Sequence, residues 1–206
     1  MVNKKERELH VVAVLDGRPG HEKQTYGIIQ ALQQIVRVRV RSVTLKKHSV
    51  FTSFIRTCGL LLPVGKNEWG VPGVENADLL IGTGSHTHLP MLHAKKQTGI
   101  PIVTCMSPSI YLLNRFDLCF IPAHDRIREA RNIVYTTGAP NMSKNLGVHK
   151  KDQGLILLGG IDTKSHHWDG NKIAAMVENL VQRYEQMHWT LSSSPRTPTA
   201  TIKLLK

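Results

Sequence analysis

Short apolar runs that stop at turns rich in glycine, proline or charge recur along this chain, with helix-patterned stretches between them. "VVAVLDGRPGHEKQTYGIIQAL", Val11 to Leu32, shows the unit in full. A β-branched run meets an Asp-Gly turn, and apolar residues then return at helical spacing. Such runs read as buried strands, and their alternation with helices favours a parallel sheet. His10–Leu15 is therefore expected as a strand. Thr25–Val36 is expected as a helix with Ile28, Ile29, Leu32, Ile35 and Val36 on one face. "VRVRVRSV" from Val36 alternates apolar residues with arginine, the pattern of a strand with one solvated face.

The alternation continues. "ADLLIGTGSHTH" reads as a strand ending at Gly82 and Gly84, and Leu89–Gln97 as a helix closed by Gly99. "IPIVTCMSPS", "FDLCFIP" and "NIVYTTGAP" add further strands. "NMSKNLGVHKKDQ" is polar, as a linker should be. "GLILLGGIDTKSHHW" then opens a second strand-to-glycine unit. A helix is expected over Asn171–Met187, with Ile173, Met176, Val177, Leu180 and Tyr184 on one face. "WTLSSSPRTP" comes next as strand and loop, and "TATIKLLK" as the first turns of a helix. The fold class is α/β: a Rossmann-like parallel-sheet domain over residues 1–150 and the start of a second one over 151–206. The second falls short of the roughly 100 residues a doubly wound domain takes, so it is expected to be incomplete. Ser49–Leu62, "SVFTSFIRTCGLLL", is apolar nearly all round; a buried helix is favoured over one laying Phe51, Phe54, Ile55, Leu61 and Leu62 on a membrane.

Basic side chains outnumber acidic ones by 27 to 15, a formal charge of +12. That excess suits a phosphorylated ligand or an anionic membrane surface, or is simply a basic protein surface. The basic residues are scattered, and aromatic residues, at 5%, are too few for a stacking platform on single strands, so nucleic acid is disfavoured. Cys58, Cys105 and Cys119 show no Cys-x-x-Cys spacing and read as reduced core residues. No apolar run approaches the ~20 residues of a spanning helix. The expected place is the cytoplasm, with the inner face of a membrane as a peripheral site.

In open parallel sheets ligands sit beyond the carboxyl ends of the strands. The turns due there are "DGRPGHEKQ", "GTGSHTH", "MSPS", "TGAPN", "GGIDTKSHHW" and "SSSPRTP". Gly17, Gly20 and Gly84 lack the Cβ that would block close approach, and Arg18 and Arg196 can fork onto phosphate or carboxylate. Asp16, Arg18, His21 and Glu22 converge on one short turn. His21 is the best candidate for proton transfer, because imidazole titrates near neutrality. Asp16 or Glu22 can orient it or share the task; Asp16 can equally just cap the turn. Ser85 is expected to N-cap the next helix, with His86 near a ligand. Neither the G-x-x-x-x-G-K-[ST] loop nor the G-x-G-x-x-G fingerprint is present, and no Gly-x-Ser-x-Gly elbow appears. His86, His88 and His93, or His166 and His167, lack a cysteine or carboxylate to complete a zinc set, so no metal and no cofactor are expected.

Taken in order, "DGRPGHEKQTYGIIQAL", "LIGTGSHTHLP", "TTGAPN", "LLGGIDTKSHHWD" and "SSSPRTP" resemble the mitochondrial fission Elm-type family of bacteria and plants. The resemblance spans nearly the whole chain and implies a GT-B glycosyltransferase-like fold of two facing Rossmann-like domains. It places acceptor contacts on the first domain, at Gly17, Arg18, Gly20, Gly84, Ser85 and His86. Donor contacts fall on the second, at Gly159, Gly160, Thr163, Ser165, Ser194, Arg196 and Thr197. The "GRPGH" turn is also similar to the Gly-rich, His-ending acceptor loop of the peptidoglycan enzyme that makes lipid II. The resemblance thus implies a sugar transferase using a nucleotide-sugar donor and a lipid-linked or cell-envelope acceptor, inactive as an incomplete chain. The alternative is a non-catalytic, membrane-associated scaffold of the same family.

Overall fold

The computed structural model describes residues 8–46, 70–161 and 167–205. The expected apolar helix Ser49–Leu62, with Cys58, and the candidates Thr163 and Ser165 lie outside the described residues. The chain forms two compact units, Met1–Lys144 and Asn145–Lys206.

In the first unit six strands form one sheet: β1 (Leu9–Leu15), β2 (Val38–Thr44), β3 (Leu79–Thr83), β4 (Ile102–Cys105), β5 (Leu118–Pro122) and β6 (Ile133–Thr136). Their order is β2-β1-β3-β4-β5-β6, and every pairing is parallel. Parallel sheets bury both faces, and strand alternation does so here. Val11, Ala13 and Leu15 pack with Ile29 of helix α1 (Pro19–Gln33). Val12 and Val14 pack with Met91 and Leu92 of helix α2 (Ser85–Thr98), and the one-turn helix α3 (Ile110–Leu113) adds Leu112 and Leu113 to that face.

Both long helices begin earlier than their apolar periodicity indicates. Pro19 occupies the first turn of α1, where its fixed φ fits and its missing N–H is no loss. Gly20, His21 and Glu22 are therefore helical rather than loop residues. The helix ends at Gln33, so Ile35 and Val36 fall beyond it and stand exposed, at 80% and 40%. In α2 the polar start "SHTH" and Pro90 obscure the pattern, yet the helix runs through both. Gly84, not Ser85, takes the cap position, and Ser85 is the first helical residue. Gly99 closes α2 with a left-handed φ of 74°.

The second unit contains strands β7 (Gln153–Leu158) and β8 (His188–Ser193), paired in parallel, and helices α4 (Gly170–Arg183) and α5 (Thr199–Leu204). Asp169 caps α4 by accepting from the Lys172 amide at 3.0 Å. The helix stops at Arg183, short of the expected Met187, and none of its residues is buried. Ile173 and Val177 are half-buried, while Met176, Leu180 and Tyr184 are exposed. Leu155 and Leu157 of β7 are likewise open to solvent, at 61% and 71%. Among the described residues no helix is long and apolar enough to cross a membrane.

Candidate functional site

The sheet order sets the place where a site can form. The chain leaves β1 toward β2 on one side and returns to β3 on the other, so a crevice opens between the carboxyl ends of β1 and β3. Asp16 comes directly after β1 and is 2% exposed. Gly17 turns the chain with φ +76°, and the Arg18 amide donates to Asp16 Oδ1 at 3.1 Å. α1 then brings His21 back over the turn, its Nδ1 2.7 Å from Asp16 Oδ2. The Asp16 side chain is wholly inaccessible, whereas that of His21 stays 16% exposed. A buried carboxylate needs hydrogen-bond donors, and the Arg18 amide and the imidazole supply them. The Arg18 guanidinium stands 4.0 Å off and half in solvent, within reach of an incoming anion.

Gly84 completes the arrangement from β3. Its φ is +97°, a region that side-chain-bearing residues rarely adopt. A Cβ there would overlap the His21 Nδ1 and approach Asp16 Oδ2 to 2.9 Å. The glycine therefore makes room for the dyad, and the crevice narrows onto it. Ser85 is exposed and His86 half-buried beside it. Glu22 is half-buried in the first turn of α1, but its side chain hydrogen-bonds neither Asp16 nor His21. Of the residues expected to act on a proton, the fold joins Asp16 to His21 and leaves Glu22 apart.

Buried polar residues that sequence reading missed support this edge from both faces of the sheet. On the α1 face, Thr25 donates to Thr83 at 2.9 Å. On the α2 face, His88 Nε2 lies 3.3 Å from Thr104 Oγ1, whose own proton goes to the Cys105 carbonyl at 3.2 Å. The His88 ring meets Phe116 edge-on at 5.2 Å. Burial, and then the nearby His21 charge, push the His88 pKa down to about 4, so it stays neutral. Burial pushes the Cys105 thiol up to about 11 against a smaller opposing contribution from Thr83, and Cys119 up to about 12. Neither thiol is a nucleophile at neutral pH. The one signal of this layer in the sequence is the threonine that ends or nearly ends each strand, at Thr83 and Thr104.

In the second unit the two glycine- and serine-rich turns are fastened to each other. Thr197 Oγ1 donates to the Gly159 carbonyl and accepts from the Ser194 amide at 2.9 Å. The Ile161 amide donates to the Arg196 carbonyl at 3.1 Å, and the Arg196 amide donates to Ser194 Oγ at 3.1 Å. A Cβ on Gly160 would strike the Arg196 backbone. Thr197 and Gly160 thus serve the clasp between loops. Gly159 has open space around its α-carbon, and the Arg196 side chain is exposed.

Residues 19–206 match the family described as mitochondrial fission ELM1. The chain belongs to that family. No curated protein matches this ELM1-family sequence. Solved structures share its fold, two of them as follows. One is the MnaA protein of S. aureus in complex with UDP, 14% identical, with a TM-score of 0.53 over 95% of this chain and 64% of that one. The other is a Listeria monocytogenes protein assigned as a UDP-N-acetylglucosamine 2-epimerase, 11% identical, with a TM-score of 0.50 over 96% of this chain and 65% of that one. At such identities the likeness establishes the GT-B, Rossmann-like fold and nothing finer. The ELM1-family chain spans less than two thirds of either structure's length.

Proposed function

We propose that this chain belongs to a sugar-transferring protein that takes a nucleoside-diphosphate sugar and passes the sugar to a hydroxyl. As the acceptor oxygen attacks, its proton moves to His21 Nε2. The bond between the sugar carbon and the diphosphate breaks, and the nucleoside diphosphate leaves. Asp16 holds the imidazole by Nδ1 and stabilises the imidazolium that forms. Gly17, Arg18, Gly20, Gly84, Ser85 and His86 frame the acceptor around that pair. On the donor side, Gly159, Gly160, Ser194, Arg196 and Thr197, with Thr163 and Ser165, line the approach of the diphosphate, and Arg196 and backbone amides offset its charge. Residues 1–150 form the acceptor domain in this reading and residues 151–206 belong to the donor domain. The basic excess suits a peripheral position on the cytoplasmic face of an anionic membrane, where a lipid-linked acceptor resides.

The observation that carries this reading is the 2.7 Å contact between a fully buried carboxylate and a partly open imidazole at the sheet's switch point. The UDP held by the S. aureus fold relative makes a uridine nucleotide the first ligand to try. Calorimetry with UDP and UDP-sugars is expected to show binding, and His21→Ala to leave that binding intact while lowering turnover by about 10²–10⁴-fold. Turnover unchanged in His21→Ala would remove the base role. The rival reading, a non-catalytic scaffold, is favoured by the fission role in the family's description. It wins if nucleotide and vesicles bind but no sugar is transferred or hydrolysed across a donor panel.

A further inference from the structure

The segment that opens the second unit is polar overall, yet two large apolar side chains stand out from it. Asn145 through Lys151 is exposed at every residue, and it presents Leu146 at 81% and Val148 at 75%. These stand among the most exposed large apolar side chains of the described residues. Between them Gly147 is left-handed, with φ +69°, and its amide donates to Asn145 Oδ1 at 2.9 Å. That small turn sets a fixed bend between the two apolar side chains. Basic side chains predominate: Lys144, Lys150 and Lys151 flank the pair, and the first acidic residue after it is Asp152.

We propose that this segment docks on an anionic phospholipid surface, Leu146 and Val148 entering the headgroup boundary while Lys150 and Lys151 meet lipid phosphates. The inference deepens the membrane part of the function proposed above and rests on it only in assigning a purpose to the docking. Charge and apolarity together decide the partner. Lysines alone fit any polyanion, but Leu146 and Val148 have no role against a sugar-phosphate backbone, and no aromatic side chain in the segment offers a stacking face for bases. A protein partner is a poor fit, since stable interfaces take about 800 Å² from each side and seven residues of a bent loop supply far less. A bilayer rewards small apolar side chains backed by lysines, each basic residue adding severalfold to the partition.

The test is flotation of the full chain with vesicles of phosphatidylcholine alone and of phosphatidylcholine mixed with phosphatidylglycerol. The wild-type chain is expected to float with the mixed vesicles and not with the neutral ones. Lys150→Ser/Lys151→Ser is expected to weaken partition about thirtyfold. Leu146→Ser/Val148→Ser is expected to weaken it about tenfold or more. All four side chains are exposed, so the variants keep the wild-type circular dichroism and melting point. Absence of wild-type flotation overturns the proposal, as does wild-type flotation of the leucine–valine variant. Binding to duplex or single-stranded nucleic acid lost with the lysines but not with the apolar pair points to a polyanion and equally overturns it. His21→Ala is expected to float like the wild type. Loss of transfer activity in that variant and loss of flotation in the others are therefore separate outcomes, and either can fail alone.

Discussion

Gly84 stands so close to His21 that any side chain on its α-carbon would overlap the imidazole Nδ1. Gly84 follows β3 and His21 lies in the first turn of α1 after β1, the neighbouring parallel strand, so their closeness sets how the two segments meet at the candidate site. Gly84→Ala introduces a Cβ at a φ of +97° and against the Asp16–His21 pair. A loss of about 2–4 kcal/mol in urea unfolding is expected, from left-handed strain and overpacking combined. Gly20→Ala is the contrast. No atom lies within 4 Å of its Cβ position, so that variant is expected to match the wild type or gain up to about 1 kcal/mol of helix propensity.

Gly27 sets two effects against each other. Alanine is the better helix former by about 1 kcal/mol, but its Cβ would lie 2.7–2.9 Å from the backbone N, Cα and C of Asn141. Backbone cannot step aside as a flexible side chain can. Overpacking is expected to win, and Gly27→Ala to unfold at lower urea by a net of about 1–3 kcal/mol. A stabilised variant would show that the "TGAPN" turn moves freely over α1.

His88 makes the fold sensitive to acid. Its pKa is about 4 when folded and 6.5 when free, so the unfolded chain binds the extra proton. This contribution to stability is therefore complete above pH 6.5, declines as pH falls through that value, and is gone near pH 4. The total is a few kcal/mol. Urea unfolding measured between pH 7 and pH 4 is expected to show this slope, and His88→Gln to flatten it. Equal slopes in the two proteins would assign the acid sensitivity to other groups.

Thr197 tests the clasp in the second unit. Thr197→Val keeps the shape but leaves the Gly159 carbonyl without its hydroxyl donor and the Ser194 amide with only the Leu158 carbonyl, at 3.1 Å. A loss of about 1–3 kcal/mol is expected, with faster hydrogen exchange at the Ser194 amide. Unchanged exchange would mean that the loops hold together without it.

The strands were legible in the sequence because most are short apolar runs with glycine or charge at the end, as in "HVVAVLDG" of the first unit and "GLILLGG" of the second. Helix starts were not. Proline at Pro19 and polar residues at Ser85–His88 interrupt the apolar period, while the positions they hold suit a first turn or a buried hydrogen bond. The proximity of Asp16 and His21 was readable, since one helical turn closes the gap. The exclusion of Glu22 was not, because only the direction of α1 decides which carboxylate meets the ring. The burial of His88 depends on Thr104 and Phe116, distant in sequence, and no local pattern carries it. The exposure of the α4 apolar face is equally tertiary: periodicity marks the face and says nothing of what lies opposite.

The proposed chemistry requires Asp16, 2.7 Å from His21 Nδ1, to hold the imidazole proton on that nitrogen and so leave the Nε2 lone pair for the acceptor. Long-range nitrogen–proton NMR of the imidazole reports the tautomer of the neutral ring directly. An Nδ1–H tautomer is predicted for His21 in the wild-type chain, lost or mixed in Asp16→Asn. A neutral His21 carrying its proton on Nε2 in the wild type would contradict that assignment.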